Sequence, residues 1–146
     1  MIDPELVTRK IVLITADLDA LVPIAAKRLD EYLANPTDEV LAERYLERII
    51  GRMIDINYHL VTESGFPPPR DYYDSFAELA KLRVLPPDFA SRIAVCAGLR
   101  NRIAHEYDEI DPARVHEALQ AAVTDIPAYL RYVDRYLSEM PPAAGI

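Results

Sequence analysis

Apolar residues recur at steps of three, four and five along most of this chain, and that spacing constrains the fold more than any other feature. From Leu6 they fall at Ile11, Ile14, Leu18, Leu21, Ala25, Leu29 and Leu33, a single stripe over roughly nine turns of helix. Asp3 can cap that helix with Pro4 in its first position. Pro23 sits inside the stripe, where its ring and missing N–H predict a kink or a local split. Asn35-Pro36-Thr37 stops the first run and starts a second through Leu41, Leu46, Ile49, Met53, Ile56 and Leu60, which ends at Ser64-Gly65. Prolines 67 to 69 make a stiff connection to a shorter helix over about 72–83 that carries Phe76, Leu79 and Leu82. Pro86-Pro87-Asp88 opens a fourth helix with Phe89, Ile93, Cys96, Arg100 and Ile103 on one face. Asp111-Pro112 repeats the cap-and-proline start, and the last helix runs on Val115, Leu119, Ala122, Ile126, Leu130, Val133 and Leu137, with Pro127 expected to bend it. Short connections between such helices predict an all-α, up-and-down bundle of four to five helices. Residues 1–140 read as one helical domain and 141–146 as a flexible tail.

Composition narrows the function classes. The 146 residues, 51% of them hydrophobic and 27% charged, suit one domain with one core. A formal net charge of −8 argues against a broad electrostatic grip on nucleic acid, so any polyanion contact has to be local. Cys96 is the single cysteine, which excludes an internal disulfide framework and a multi-cysteine zinc site and suits a reducing cytosol. The N-terminus lacks a basic leader and no window approaches ~18 uninterrupted apolar residues, so cytoplasmic residence without a membrane partner is expected.

Residues 98–107, Gly98-Leu99-Arg100-Asn101-Arg102-Ile103-Ala104-His105-Glu106-Tyr107, concentrate the chemically capable side chains. At ~100° per residue, His105 lies about 140° around a continued helix from Arg100, so the helix is expected to loosen near 105. Asn101 stands four residues before His105, near enough for its amide oxygen to hold one imidazole nitrogen and leave the other free. Arg102 and Arg92 would add local positive potential, Arg92 two turns before Arg100 on the same general face. On position alone, His105 also suits a helix C-terminal histidine favoured by the helix dipole, and Arg100 a buried arginine paired with a carboxylate.

Arg100, four residues, His105, one residue and Tyr107, with Asn101 directly after the arginine, resembles the Arg-x4-His-x-Tyr signature of the HepT-like toxins of the HEPN superfamily. The likeness takes in the layout of nearly the whole chain: two long helices, a proline-rich link into Tyr72-Tyr73-Asp74-Ser75-Phe76, a short helix, the motif helix and a last long helix. It implies an all-helical homodimer that cleaves RNA, transfer or messenger, without metal or cofactor, with the arginine and histidine of both subunits facing a shared cleft. Carried onto this sequence, Arg100 and His105 are the catalytic pair, with Asn101 and Arg102 in support. The resemblance further implies a partner, an MntA-type minimal nucleotidyltransferase antitoxin, that transfers AMP onto the motif tyrosine, here Tyr107.

The chemistry suits those roles. Attack by the RNA's own 2′-hydroxyl needs a base, an acid for the leaving oxygen and a cation for the charge growing on phosphorus. An imidazole with an ordinary pKa of ~6.5 can do either proton job, and such help is typically worth ~10²- to 10⁴-fold. Arg100 offers the phosphate a planar fork that never deprotonates. One motif histidine per chain makes a two-fold dimer useful, and AMP on Tyr107 would repel and block RNA.

The remaining polar residues have plainer readings. His59 is expected to be structural or at an interface, with Asn57 and Tyr58 able to line the cleft, and His116 to lie at the surface. Glu106, Asp108, Glu109 and Asp111 resemble a metal site only superficially, as loop carboxylates without a second histidine. Tyr129, Tyr132 and Tyr136 recur at helical spacing as core or dimer packing, and Cys96 reads as a small core side chain. An alternative from another class is a non-catalytic helical module that scaffolds a nucleotidyltransferase or binds a nucleotide, and a third is a purely structural dimer.

Overall fold

A computed structural model describes residues 1–106 and 108–141, which form seven helices and no strand among them. Helix α1 (Pro4–Ala25) begins where Asp3 accepts from the N–H groups of Glu5 and Leu6 at 3.1 and 3.2 Å, satisfying donors that the first turn leaves unpaired. Pro23 stays inside α1, and the break falls three residues later, at Ala26, before the short α2 (Leu29–Leu33). The single run expected over nine turns is therefore two helices. Asn35 caps α3 (Pro36–Glu63) through the Asp38 N–H, and Lys27 reaches from the α1–α2 connection to the Asp38 carboxylate. Gly65, at φ 90°, carries the chain out of α3 in a left-handed conformation that a side chain would resist.

Beyond the prolines, α4 (Tyr72–Lys81) is capped by Asp71, whose carboxylate accepts from the Asp74 N–H at 2.6 Å. Helix α4 ends at Lys81, two residues before the expected end, and Arg83, at φ 63°, turns the chain away. The fourth expected helix is also two, α5 (Pro87–Ile93) and α6 (Val95–His105), joined at Ala94 where the Ala97 N–H closes a tighter turn onto the Ala94 carbonyl. Last comes α7 (Pro112–Ser138), which runs on through Pro127. The all-α bundle holds, with the first and fourth of its five expected units each divided.

Helix α3 is the axis of the bundle, packing against α1, α2, α4, α6 and α7. Its stripe of Leu46, Ile49, Ile50, Met53 and Ile56 is fully buried against Ile14 and Leu21 of α1, Phe76 and Leu79 of α4, and Leu119, Ile126 and Val133 of α7. Removing that apolar area from water supplies the main drive to fold. Helix α6 packs on α3 and α4 and stands off α7, leaving a cavity on each of its sides. No helix among the described residues is long and apolar enough to cross a membrane.

Candidate active site around Arg100

Helix α6 presents Arg100 toward α3 and α4, where it is half-buried. Its guanidinium carbon lies 5.6 Å from the centroid of the Tyr72 ring at the start of α4, close enough for attraction between the cation and the ring face. Its Nε is closed off from solvent and finds no hydrogen-bond partner among the described residues. A desolvated N–H on a permanent cation is costly to leave unpaired, and the same side chain borders the open cavity beside Tyr72, where its positive charge suits an anion. The tyrosine edge is itself held, with the Tyr58 ring set perpendicular to Tyr72 at 6.1 Å. The Tyr58 phenol titrates higher than usual, chiefly because it is buried and also because Tyr72, Asp71 and Asp74 surround it. Arg100, Tyr58 and Tyr72 line a cavity of about 600 Å³, whose other wall is a row of α3 side chains: Arg44, Glu47, Arg48, Gly51, Arg52, Ile54 and Asp55.

His105 is exposed at the last position of α6. The expected loosening comes one residue later, at Glu106 (φ −125°, ψ 33°), whose N–H still closes onto the Arg102 carbonyl at 2.7 Å. Within one chain the helix therefore holds Arg100 and His105 on different sides, about 140° apart. Asn101 is exposed, and among the described residues it makes no hydrogen bond to His105, so the tautomer-fixing contact expected from their spacing is not formed. Tyr107 lies outside the described residues.

Two arginines expected beside Arg100 point elsewhere. Arg102 is two residues on, about 200° around the helix, and lines the cavity between α6 and α7 with Glu106, Glu109 and Arg114. Arg92 belongs to α5, beyond the break at Ala94; it pairs with Asp125 of α7 at 3.2 Å and lies 5.1 Å over the Phe89 ring. That second cavity, about 610 Å³, is walled mainly by Leu46, Ile50, Leu99, Val115, Ala122 and Ile126. Half-buried Cys96 borders it, and burial together with the nearby Asp125 charge pushes its thiol up to about 12, which makes it a poor nucleophile.

The other histidines are structural. His59 Nε2 accepts from the Asp3 N–H at 2.9 Å, tying α3 to the α1 cap. His116 corrects the surface expectation: half-buried, it donates to the Lys27 carbonyl at 2.7 Å and packs 5.2 Å from the Tyr32 ring. Asn57 is buried in the core and does not reach the Arg100 cavity, whereas Tyr58 does. Among the described residues no three His, Cys, Asp or Glu side chains gather as metal ligands would. What sequence reasoning missed is the α3 wall: Arg44, Arg48 and Arg52 recur every four residues, a spacing that sets all three on one helix face.

A long central helix flanked by a motif helix that brings an arginine to a surface cavity defines an all-helical bundle with a candidate site on its surface. Residues 14–133 match the family described as ribonuclease HepT-like, and the chain belongs to that family. It is 36% identical over 136 residues to a tRNA nuclease HepT from Aphanizomenon flos-aquae (strain 2012/KM1/D3), covering 93% of this chain and 92% of that one. Its fold is shared with the tri-AMPylated Shewanella oneidensis HEPN toxin in complex with MNT antitoxin, at a TM-score of 0.82 and 20% identity over 91% of this chain and 99% of that one. It is shared equally with the cytosolic protein YutE from Bacillus subtilis, at a TM-score of 0.83 and 14% identity, covering 98% and 96% of the two chains.

Proposed function

We propose that this chain is the toxin of a toxin–antitoxin pair, a cytosolic, metal-independent endoribonuclease that works as a homodimer and is silenced by AMP transfer onto Tyr107. The observation that carries the reading is the Arg100 guanidinium, stacked on Tyr72 with its Nε–H unpaired among the described residues, at the motif spacing from an exposed His105. In this reading Arg100 binds the scissile phosphate and neutralises the charge that builds on it. His105 takes the proton from the 2′-hydroxyl as the 2′-oxygen attacks phosphorus, and the 5′-oxygen leaves with a proton from a second imidazole. Because α6 sets Arg100 and His105 on different sides of one chain, a two-fold pair of chains supplies both groups to one cleft and both histidines to one reaction. Asn101 and Arg102 lie at its margin as supporting groups.

The name of the Aphanizomenon relative makes transfer RNA the first substrate to try, and the MNT antitoxin bound to the Shewanella protein points to an MntA-type nucleotidyltransferase as the partner. AMP on Tyr107 adds a negative phosphate and a nucleoside where RNA must enter, excluding substrate by charge and by bulk. The test is expression in a bacterial host, alone or with such a transferase. Wild type alone is expected to arrest growth and degrade RNA, Arg100→Ala and His105→Ala to do neither, and co-expression to restore growth with AMP found on Tyr107 by mass spectrometry. Equal growth and intact RNA in all three strains would sink the nuclease reading, and rescue with unmodified Tyr107 would sink the regulatory one.

A further inference from the structure

The wall of the Arg100 cavity contributed by α3 gathers three arginines in an acidic protein. Arg44, Arg48 and Arg52 succeed one another every ~6 Å along one face of α3, close to the spacing of successive phosphates along an RNA strand, and Arg100 closes the far side of the same cavity. Four arginines there face two acidic side chains, Glu47 and Asp55, and both carboxylates are engaged, Glu47 with Arg44 at 3.5 Å and Asp55 with Lys10 at 3.0 Å.

A buried carboxylate sets the row. Asp17 of α1, with its side chain 8% exposed, accepts through Oδ2 from Arg52 Nη1 at 2.8 Å, and the same oxygen forms an ion pair with Arg48, whose Nε lies 3.1 Å away. Each guanidinium carries five N–H donors, and those not turned to Asp17 remain for a ligand. The side chains of Arg44 and Arg48 are 64% and 40% exposed, so phosphates can reach them. Arg48 and Arg52, held by one shared carboxylate, lose less freedom on binding than free arginines. Beside them Tyr72, 41% exposed, offers aromatic surface of the kind on which unpaired bases stack.

We propose that Arg44, Arg48 and Arg52 form a track for the sugar–phosphate backbone of a single-stranded RNA segment, delivering it to Arg100, with Asp17 as the positioning residue that holds the track in register. The proposal rests on the ribonuclease reading for what happens at Arg100, but the binding it describes is separable from cleavage.

The test measures binding of a short fluorescent single-stranded RNA by anisotropy, in the His105→Ala background to prevent cleavage, between ~50 and ~200 mM KCl. On a single strand, each arginine taken off a phosphate lowers the slope of log K against log salt by ~0.7, so Arg44→Gln/Arg48→Gln is expected to be shallower by about 1.4 and several-fold weaker at low salt. Arg48→Lys keeps a point charge and is expected to keep the slope, as is Arg28→Gln at the start of α2. Size-exclusion chromatography and circular dichroism accompany every variant, and the singly substituted, exposed Arg44→Gln serves if the double variant does not fold. An unchanged slope overturns the track, as does a loss of the second copy from the dimer with RNA binding intact, which would make the row a subunit contact. If wild type cleaves RNA while the Arg44 and Arg48 variants cleave with unaltered KM, the track fails and the nuclease stands. If no cleavage is ever seen but the slopes fall as expected, the nuclease fails and the track stands.

Discussion

Tyr129 shows how a single hydroxyl deep in the bundle bears on the site. Its Oη lies 2.6 Å from Asn57 Oδ1 and 3.1 Å from the Met53 carbonyl, Asn57 Nδ2 donates to Ser75 Oγ at 3.0 Å, and Ser75 Oγ donates to the Tyr72 carbonyl at 2.6 Å. The chain of bonds runs from α7 through α3 to the backbone of the tyrosine on which Arg100 stacks. Burial drives the Tyr129 phenol well above its ordinary pKa, so it remains a donor at any working pH. Tyr129→Phe leaves the Asn57 oxygen without that donor in a dry core, a loss of ~1–3 kcal/mol, and Tm is expected to fall by several degrees in a thermal melt. An unchanged Tm would mean that the network is slack. None of this was legible in the sequence, since the partners stand 72 and 18 residues apart and Asn, Ser and Tyr carry no mark of pairing. Arg100 and His105 stood out as candidates because they sit within ten consecutive residues, though the sequence could not show that Arg100 lies against Tyr72 or that Asn101 makes no bond to His105.

At the scale of elements, α4 is the piece whose start positions the site. Asp71 ends an extended link and caps the helix whose first residue is Tyr72, and Arg70 braces the same turn through Asp74. Burial alone would raise the Asp74 carboxyl, but the Arg70 N–H and guanidinium bonded to it hold it below the usual range. Asp71→Ala removes the cap and is expected to destabilise by about 1 kcal/mol, seen as a lower midpoint in urea, and to weaken RNA cleavage as Tyr72 loosens under Arg100. A variant of wild-type stability and activity would show that packing of Phe76 and Leu79 alone fixes α4. The caps at Asp3, Asn35 and Asp111 were readable because Pro follows each of them. The break at Ala94 was not, because alanine is the best helix former and only tertiary packing turns the chain there. That break also moves Arg92 off the face it was expected to share with Arg100.

For the whole molecule, the net charge of −8 and a site for a polyanion are compatible because the positive charge is gathered, not spread. Arg44, Arg48 and Arg52 of α3 and Arg100 of α6 converge on one cavity, while the cavity between α6 and α7 mixes Arg92, Arg102 and Arg114 with Glu106, Glu109, Asp111, Glu117 and Asp125. Composition announced the acidity and could not announce its unevenness, which depends on the order of helices around α3. A surface of this kind attracts a polyanion in one place and repels it elsewhere, so the proposed ribonuclease activity is expected to fall steeply with added salt.

The most direct measurement is cleavage of purified transfer RNA by the purified protein in the presence of EDTA, comparing wild type with Arg100→Ala and His105→Ala. Wild type is expected to cut at full rate without metal, and each variant to be slower by ~10² or more while keeping its fold. Equal rates in all three proteins, or activity that vanishes with EDTA, would contradict a metal-independent ribonuclease built on Arg100 and His105.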